Sequence, residues 1–352
     1  MKRWVIALLA LALVFTGCSG TQKKGSQVAV FWYNFDDAYL SEVRTALNRD
    51  WEAAGIDYKN YDAEGRQAAQ NEQIRSAISQ GAAALVVNIV DAGFDETTQD
   101  IVDMAKNANI PVVFFNRSVP ESILAAYAKA AYVGTNYEQA GHMQGEMIGQ
   151  YLVDHFEELD LNKDRFLSYV MFKGQEGNAE ATARTKFSIE DANVVLAMAG
   201  RLELQFYDPT NGAKYLVDQN GAWSFDQGKD YMENILQRYT EEIGNMVEVV
   251  IANNDSMALG ALAALQAHGY NDGTGKTIPI FGVDATQEAQ KAIAEGTMTG
   301  TIRQDSAGMG QAIAAIVQNL TAGKAPFEGL AQENVVGNQR INIPYSFYTG
   351  AD

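Results

Sequence analysis

The chain has 352 residues, 47% of them hydrophobic, and a formal net charge of −18 at pH 7. That length and apolar content suffice for two sizeable cores. The acidity argues against nucleic acid, whose phosphates would be repelled, and reads as a well-solvated surface.

Lys2 and Arg3 precede an apolar run at residues 4–15, too short to span a bilayer and shaped like the core of an export signal. Cys18 is the only cysteine, so no internal disulfide can form. Small residues before Cys18 and the polar stretch 19–26 after it resemble a bacterial lipoprotein processing site. On that reading 1–18 is a signal peptide, 19–26 a linker, and Cys18 the lipidated new N-terminus. The alternative is an ordinary signal peptide with Cys18 incidental. No second hydrophobic segment is long enough to cross a membrane.

Residues 28–33 form an apolar strand followed by a polar turn with Asp36 and Asp37, either of which can cap the next helix. Leu40, Val43, Leu47 and Trp51 give that helix one buried face. Further strands end at Tyr61-Asp62, run through 84–91 with Asn88 and Asp91 at the end, and span 110–116. After a strand at 167–172 comes a glycine-punctuated turn that presents Asn178, Glu180 and Arg184 one way at a helix start. Trp223 lies in the polar segment 220–228, an odd home for a core tryptophan. The run 249–251 enters Asn253-Asn254-Asp255 and a helix bearing Met257, Leu259, Leu262 and Leu265, with Asp255 or Ser256 able to cap it. A strand at 278–284 ends in Asp284, residues 300–305 precede a helix at 307–320, and the chain closes on the strand-like 340–348.

Four of these units recur in the same order: 28–33 with 167–172, Tyr61-Asp62 with Tyr207-Asp208, the Asn88 turn with the Asn254 turn, and 110–116 with 278–284. The pattern predicts an α/β protein of two similar doubly wound parallel-sheet lobes with a ligand cleft between them. We assign 27–112 and 306–338 to an N-terminal lobe, and 113–305 and 339–352 to a C-terminal lobe.

No catalytic constellation assembles. The three histidines, His142, His155 and His268, sit on helix surfaces or ends, and no nucleophile elbow, phosphate loop or His/Cys metal set is present. An enzyme would need a carboxylate pair in the cleft, for which Asp37 and Asp284 are the candidates; no turnover is expected. The strand ends instead offer carboxylates, amides, one arginine and aromatic faces, an inventory suited to a neutral polyol. Asp160, Asn162 and Asp164 alternate like the first half of a calcium loop, but Arg165 replaces its glycine and no glutamate stands at its twelfth position.

The stretches FDDAYLSEVR, IPVVFFN, AAYVGTN, LNKD, EVVIANNDSMALGALAAL and IPIFGVDA resemble the periplasmic D-galactose/D-glucose-binding proteins of bacterial sugar ABC transporters, within the type I periplasmic binding proteins. The resemblance covers nearly everything after the linker. It implies three crossing segments forming a hinge, closure around a hexose (D-glucose and/or D-galactose), and delivery to a membrane permease by a lipid-anchored monomer on the periplasmic side. Carried over by position, the sugar contacts are Tyr33, Asp37, Tyr39, Asn88, Arg184, Trp223, Asn254 and Asp284, with Tyr39 and Trp223 as the stacking rings. Three positions depart from the family: Asn178 for His, Glu180 for Asp and Gln304 for Asn. The last two add a methylene each, which a close-fitted site would feel. A structural calcium ion is also implied, held by Asp160, Asn162, Asp164, the Phe166 carbonyl, Ser168 and the remote Glu248. Alternatives on the same fold are a pentose, another hexose or a role as a chemoreception ligand carrier. A sugar-repressor core is excluded by the export signal where a DNA-binding module would stand.

Overall fold

The computed structural model describes residues 27–350; Cys18 and the expected signal peptide and linker lie outside them. The first lobe begins with β1 (Val28–Trp32), buried throughout, and α1 (Ala38–Ala54), which lays Leu40, Val43, Leu47 and Trp51 on the core as their spacing predicts. It continues through β2 (Tyr58–Asp62), α2 (Gln67–Ser79), β3 (Ala84–Val87), α3 (Asp95–Ala108), β4 (Val112–Phe115), the short α4 (Glu121–Ala125) and β5 (Ala130–Gly134). The chain then crosses into α5 (Tyr137–Leu159), β6 (Ser168–Lys173), α6 (Ala179–Met198), β7 (Gln205–Phe206), β8 (Leu216–Val217) and α7 (Phe225–Leu236). The second lobe proceeds with β9 (Val249–Ala252), α8 (Asp255–Ala267), β10 (Ile280–Asp284), α9 (Gln287–Ala294) and β11 (Gly300–Gln304). A return crossing supplies α10 (Ser306–Thr321), β12 (Val335–Val336) and β13 (Arg340–Asn342) to the first lobe, and β14 (Tyr345–Tyr348) closes the second.

Among the described residues the first sheet runs β12-β13-β5-β4-β3-β1-β2 and the second β14-β11-β10-β9-β6-β7, with β8 also paired to β6. Pairing is parallel except at β12/β13 and β11/β14. Period-two alternation makes both lobes doubly wound: Val28, Val30 and Trp32 join the core under α1 and α10, while Ala29 and Phe31 join the one under α2 and α3. In the second lobe Val170 and Phe172 pack toward α7 and α8, and Tyr169 and Met171 toward α5 and α6. The repeat read from the sequence is thus a repeat of topology: β1 lies between β2 and β3 as β6 lies between β7 and β9.

The expected lobe boundaries need correcting at two places. Residues 113–134 belong to the first lobe, because β4 pairs with β3 and β5 with β4. The segment 340–348, read as one strand, is two. Arg340–Asn342 pairs with β5 in the first sheet, and Tyr345–Tyr348 runs antiparallel to β11 in the second. Pro344, with no amide hydrogen to give a ladder, stands between them. The three crossings therefore fall between β5 and α5, β11 and α10, and β13 and β14.

One packing device was not foreseen. Gly141, Gly145 and Gly149 make a stripe along α5 against which α6 packs closely. A Cβ on Gly145 would stand 2.7 Å from both the Asp191 Cβ and the Phe187 carbonyl. Because backbone cannot yield there as a flexible side-chain tip can, Gly145→Ala is expected to destabilise the fold by about 1–3 kcal/mol. Urea unfolding of the variant against the parent reads this directly, and an unchanged midpoint would contradict the close-packing account.

Candidate functional site

The cleft lies at the carboxyl ends of both sheets, where doubly wound folds bind ligands. Helix N-termini point into it. Asp37 caps α1 by accepting from the Leu40 amide at 2.9 Å, Asn178 caps α6 through the Ala181 amide at 2.9 Å, and Asn254 caps α8 through the Met257 amide at 3.1 Å. The α8 cap is thus Asn254, one residue before the expected positions, and Asp255 begins the helix fully buried. These side chains combine the capping role with a place on the cavity wall, so the two readings of Asp37 hold together.

The cavity has about 390 Å³ of empty space, part of it open to solvent. The first lobe lines it with Asp37, Tyr39, Asn116 and Arg117, and the second with Asn178, Glu180, Arg184, Trp223, Asn254, Asp284 and Gln304, the last at the end of β11 beside the second crossing. Each lobe contributes one ring, Tyr39 and Trp223. The lobes touch around the cavity: the Ser118 amide donates to Glu180 Oε1 at 3.1 Å, and the Gln287 amide to Glu42 Oε1 at 3.1 Å.

Arg184 organises the polar half. It is 4% exposed. Its Nη1 donates to the Asn253 carbonyl at 2.8 Å and lies 3.9 Å from the Asp284 carboxylate, while Nη2 donates to Gln304 Oε1 at 3.0 Å and to the Tyr345 hydroxyl at 3.1 Å. Tyr345 in turn shares a 2.9 Å hydrogen bond with Thr135. Thr135 lies on the first crossing, and Gln304 and Tyr345 end and begin the strands that flank the other two, so one guanidinium connects the cavity to all three. Arg184 Nε and Glu180 Oε2 are buried yet have no hydrogen-bond partner among the described residues. Both residues line the cavity, and buried polar atoms left without a partner carry a desolvation cost.

Backbone strain collects in the same place. Asn116, Trp223 and Asp284 have φ of 62°, 56° and 126°, conformations costing roughly 1–3 kcal/mol each away from glycine. The Trp223 ring is fixed against the Gly174 backbone, where a Cβ would fall 2.1 Å from the indole Cδ2.

Two expected contacts do not reach the cavity. Tyr33 lies behind the wall, its hydroxyl donating to Asp37 Oδ2 at 2.7 Å. Asn88 is wholly buried; its Oδ1 accepts from the Tyr33 amide at 3.3 Å, and its Nδ2 donates to the Phe115 carbonyl at 3.1 Å and Asn116 Oδ1 at 3.2 Å. Its counterpart in the second lobe is Asn253, whose Oδ1 accepts from the Gly174 amide at 3.2 Å, and not Asn254. The amides of Asn88 and Asn253 also donate to Phe31 and Phe172, equivalent positions of β1 and β6. Asn116 and Arg117 were missed. The repeat carried the signal for Asn116: the 168-residue offset that pairs Ile110 with Ile278 also pairs Asn116 with Asp284.

The loop between α5 and β6 spends its oxygens on itself. Asp160 accepts from the Asp164 and Arg165 amides at 3.2 and 3.1 Å, and Asp164 from the Phe166 amide at 2.8 Å and Asn162 Nδ2 at 2.9 Å. Glu248 clamps the loop by accepting from the Leu161 and Ser168 amides at 2.7 and 2.8 Å, while the Ser168 hydroxyl donates to the Met246 carbonyl at 2.8 Å. Arg165 adopts the positive φ, 74°, that a glycine would take there. Among the described residues no three His, Cys, Asp or Glu side chains converge to hold a metal ion.

Behind Asp284 lies Asp255. It accepts from the Thr301 hydroxyl at 2.6 Å and the Thr286 amide at 2.8 Å, yet burial outweighs these bonds and pushes its carboxyl up to about 7. Burial likewise raises Asp284, with Arg184 opposing it and Asp255 adding to it, and raises Glu180. Because Asp255 holds its proton more tightly folded than unfolded, its contribution to stability is present in acid. It is lost as the pH rises from the ordinary aspartate range of about 4 to about 7. Stability measured by denaturant should fall across that window, and Asp255→Asn should flatten the fall; an identical pH profile in the variant would refute the assignment.

The matches to known proteins agree with this geometry. Residues 28–325 match the family model described as a periplasmic binding protein domain. The chain is similar to the D-galactose/methyl-galactoside binding periplasmic protein of Haemophilus influenzae, 34% identical across 98% of this chain and 96% of the relative. It is 30% identical to a putative rhizopine-binding protein of Rhizobium meliloti, across 97% of this chain and 100% of the relative. In fold it is similar to a myo-inositol-bound ABC transporter solute binding protein of Bacillus halodurans, with a TM-score of 0.67, 24% identity, and coverage of 94% and 96% of the two chains. Among the described residues no helix is long and apolar enough to cross a membrane. The chain belongs to the periplasmic binding protein family of sugar ABC transporters, whose members capture a solute and are not enzymes.

Proposed function

We propose that the protein captures one hexose, D-glucose and/or D-galactose, between its lobes and presents the closed form to the permease of an ABC transporter. The observation that carries this is the cavity itself: one aromatic ring from each lobe, a ring of carboxylates, amides and a guanidinium, and two orphaned polar atoms, Glu180 Oε2 and Arg184 Nε, on its wall. Aromatic faces take the apolar C–H face of a pyranose, and the charged groups form directional bonds to its hydroxyls. The galactoside-binding relative supports the hexose class. The extra methylenes of Glu180 and Gln304 favour a smaller ring as the second reading.

Closure is the productive step on this reading. A ligand held by second-lobe residues gains Asp37, Tyr39 and Asn116 only when the lobes meet, and that differential affinity favours the closed state. The mature chain would work from the periplasmic side of a bacterial membrane, held by acyl chains on Cys18.

Tryptophan fluorescence of refolded, ligand-free protein titrated with glucose, galactose and ribose tests the proposal. A saturable response to a hexose is expected. Asp284→Ala and Trp223→Ala should each weaken it about 10- to 100-fold, the range for a lost charged hydrogen bond or a buried ring. Silence toward both hexoses with a response to ribose would move the ligand to the smaller ring. The anchor has its own test: Cys18→Ser is expected to abolish incorporation of labelled palmitate and release the protein from membranes, and unchanged membrane retention would remove the lipid from the account.

A further inference from the structure

The cavity has a neighbour in the cleft. A second hollow, with about 760 Å³ of empty space that is partly open to solvent, is lined by polar side chains that include Asn34, Glu64, Asp91, Gln175 and Asn220. The two linings share one residue, Arg117. Near it they come within one residue of each other, since Trp223 faces the first space and Ala222 the second.

Arg117 is built in as a wall. It is 4% exposed, its guanidinium carbon lies 3.5 Å from the centroid of the Tyr33 ring, and its Nη1 donates to the Val90 carbonyl at 2.6 Å and the Ile89 carbonyl at 3.4 Å. Tyr33 lines the second hollow, and its hydroxyl is bonded to Asp37, which lines the first. The guanidinium is therefore held at one end by the backbone after β3 and at its face by a ring tied to the ligand-facing carboxylate. A planar group stacked and bonded in this way does not swing aside as a lysine would.

We propose that Arg117 is a size-selecting partition, which limits the site to a single sugar ring by separating the ligand cavity from the adjoining hollow. This rests on the monosaccharide reading given above and adds what enforces it. With the side chain shortened, the two spaces join, and a substituent carried by the ring, such as a second sugar, gains room. The amides and carboxylates of the second hollow are suited to bond that substituent's hydroxyls. The partition acts by exclusion, so its removal should widen specificity and not merely weaken binding.

Calorimetric titrations of the wild type, Arg117→Ala, Arg117→Ser and Arg117→Met with glucose, galactose, lactose, melibiose and maltose test this. The three disaccharides extend a hexose in different directions. In the wild type a monosaccharide should bind tighter than every disaccharide by about 100-fold or more. In Arg117→Ala and Arg117→Ser that ratio should shrink by about tenfold for at least one disaccharide, while Arg117→Met, long enough to keep the wall, should preserve it. A wild type that accepts a disaccharide as well as its monosaccharide, or short variants whose ratio stays fixed while all affinities fall, would overturn the partition and leave Arg117 as a support for Tyr33. A wild type that binds neither hexose overturns the hexose reading itself, a result separate from either.

Discussion

The structure depends on keeping one positive charge out of water. Arg184 is buried at the start of α6, and every direction of its fork has a use: a carbonyl at the end of β9, the Gln304 amide, the Tyr345 hydroxyl, and a nearby carboxylate. Burying a guanidinium is tolerable only when its donors are satisfied, and removing any partner would leave charge uncompensated. Only the Nε has no hydrogen-bond partner among the described residues. Its partners Gln304 and Tyr345 flank two of the three crossings, and through Tyr345 it reaches Thr135 on the third, so one charge bridges all three segments.

Around that centre the same atoms serve folding and recognition. Asp37, Asn178 and Asn254 cap helices and line the cavity. Their second oxygen or nitrogen is the part left for other bonds; Asn254, for example, donates to the Trp223 carbonyl at 3.1 Å and so helps hold that strained residue. Strain at Asn116, Trp223 and Asp284 persists because neighbours over-determine it. A site assembled this way is stiff within each lobe.

Much of this was legible in the sequence because it is local. Apolar runs ending in Asn or Asp marked the strand ends, and the same order twice marked two lobes. Asp37, Tyr39, Asn178, Glu180, Arg184, Trp223, Asn254, Asp284 and Gln304 all reach the cavity wall. The failures share a cause, which is register. Asn88 and Asn254 look equivalent as the asparagines of two strand-end turns, but hydrogen bonds to β1 and β6 set the true pair one residue earlier, at Asn253. A one-residue shift separates a buried strut from a residue on the cavity wall, since successive side chains at a strand end face opposite ways. At the Asp160 loop the alternating oxygens are visible in sequence, while their bonds to the loop's own amides are a matter of torsion angles.

By itself, then, the sequence determined the layered α/β class, the repeat, the absence of catalytic machinery, and the chemical kind of the site, because periodicity, capping and residue type are carried over spans of a few residues. Tertiary structure alone decided which sheet receives 113–134 and each half of 340–348, which asparagine of each pair meets the cavity, and that Arg117 stands between two hollows. Those outcomes depend on contacts between residues far apart in the chain. Strand pairing, crossing points and the meeting of two lobes fix them, and no local pattern encodes the distances involved.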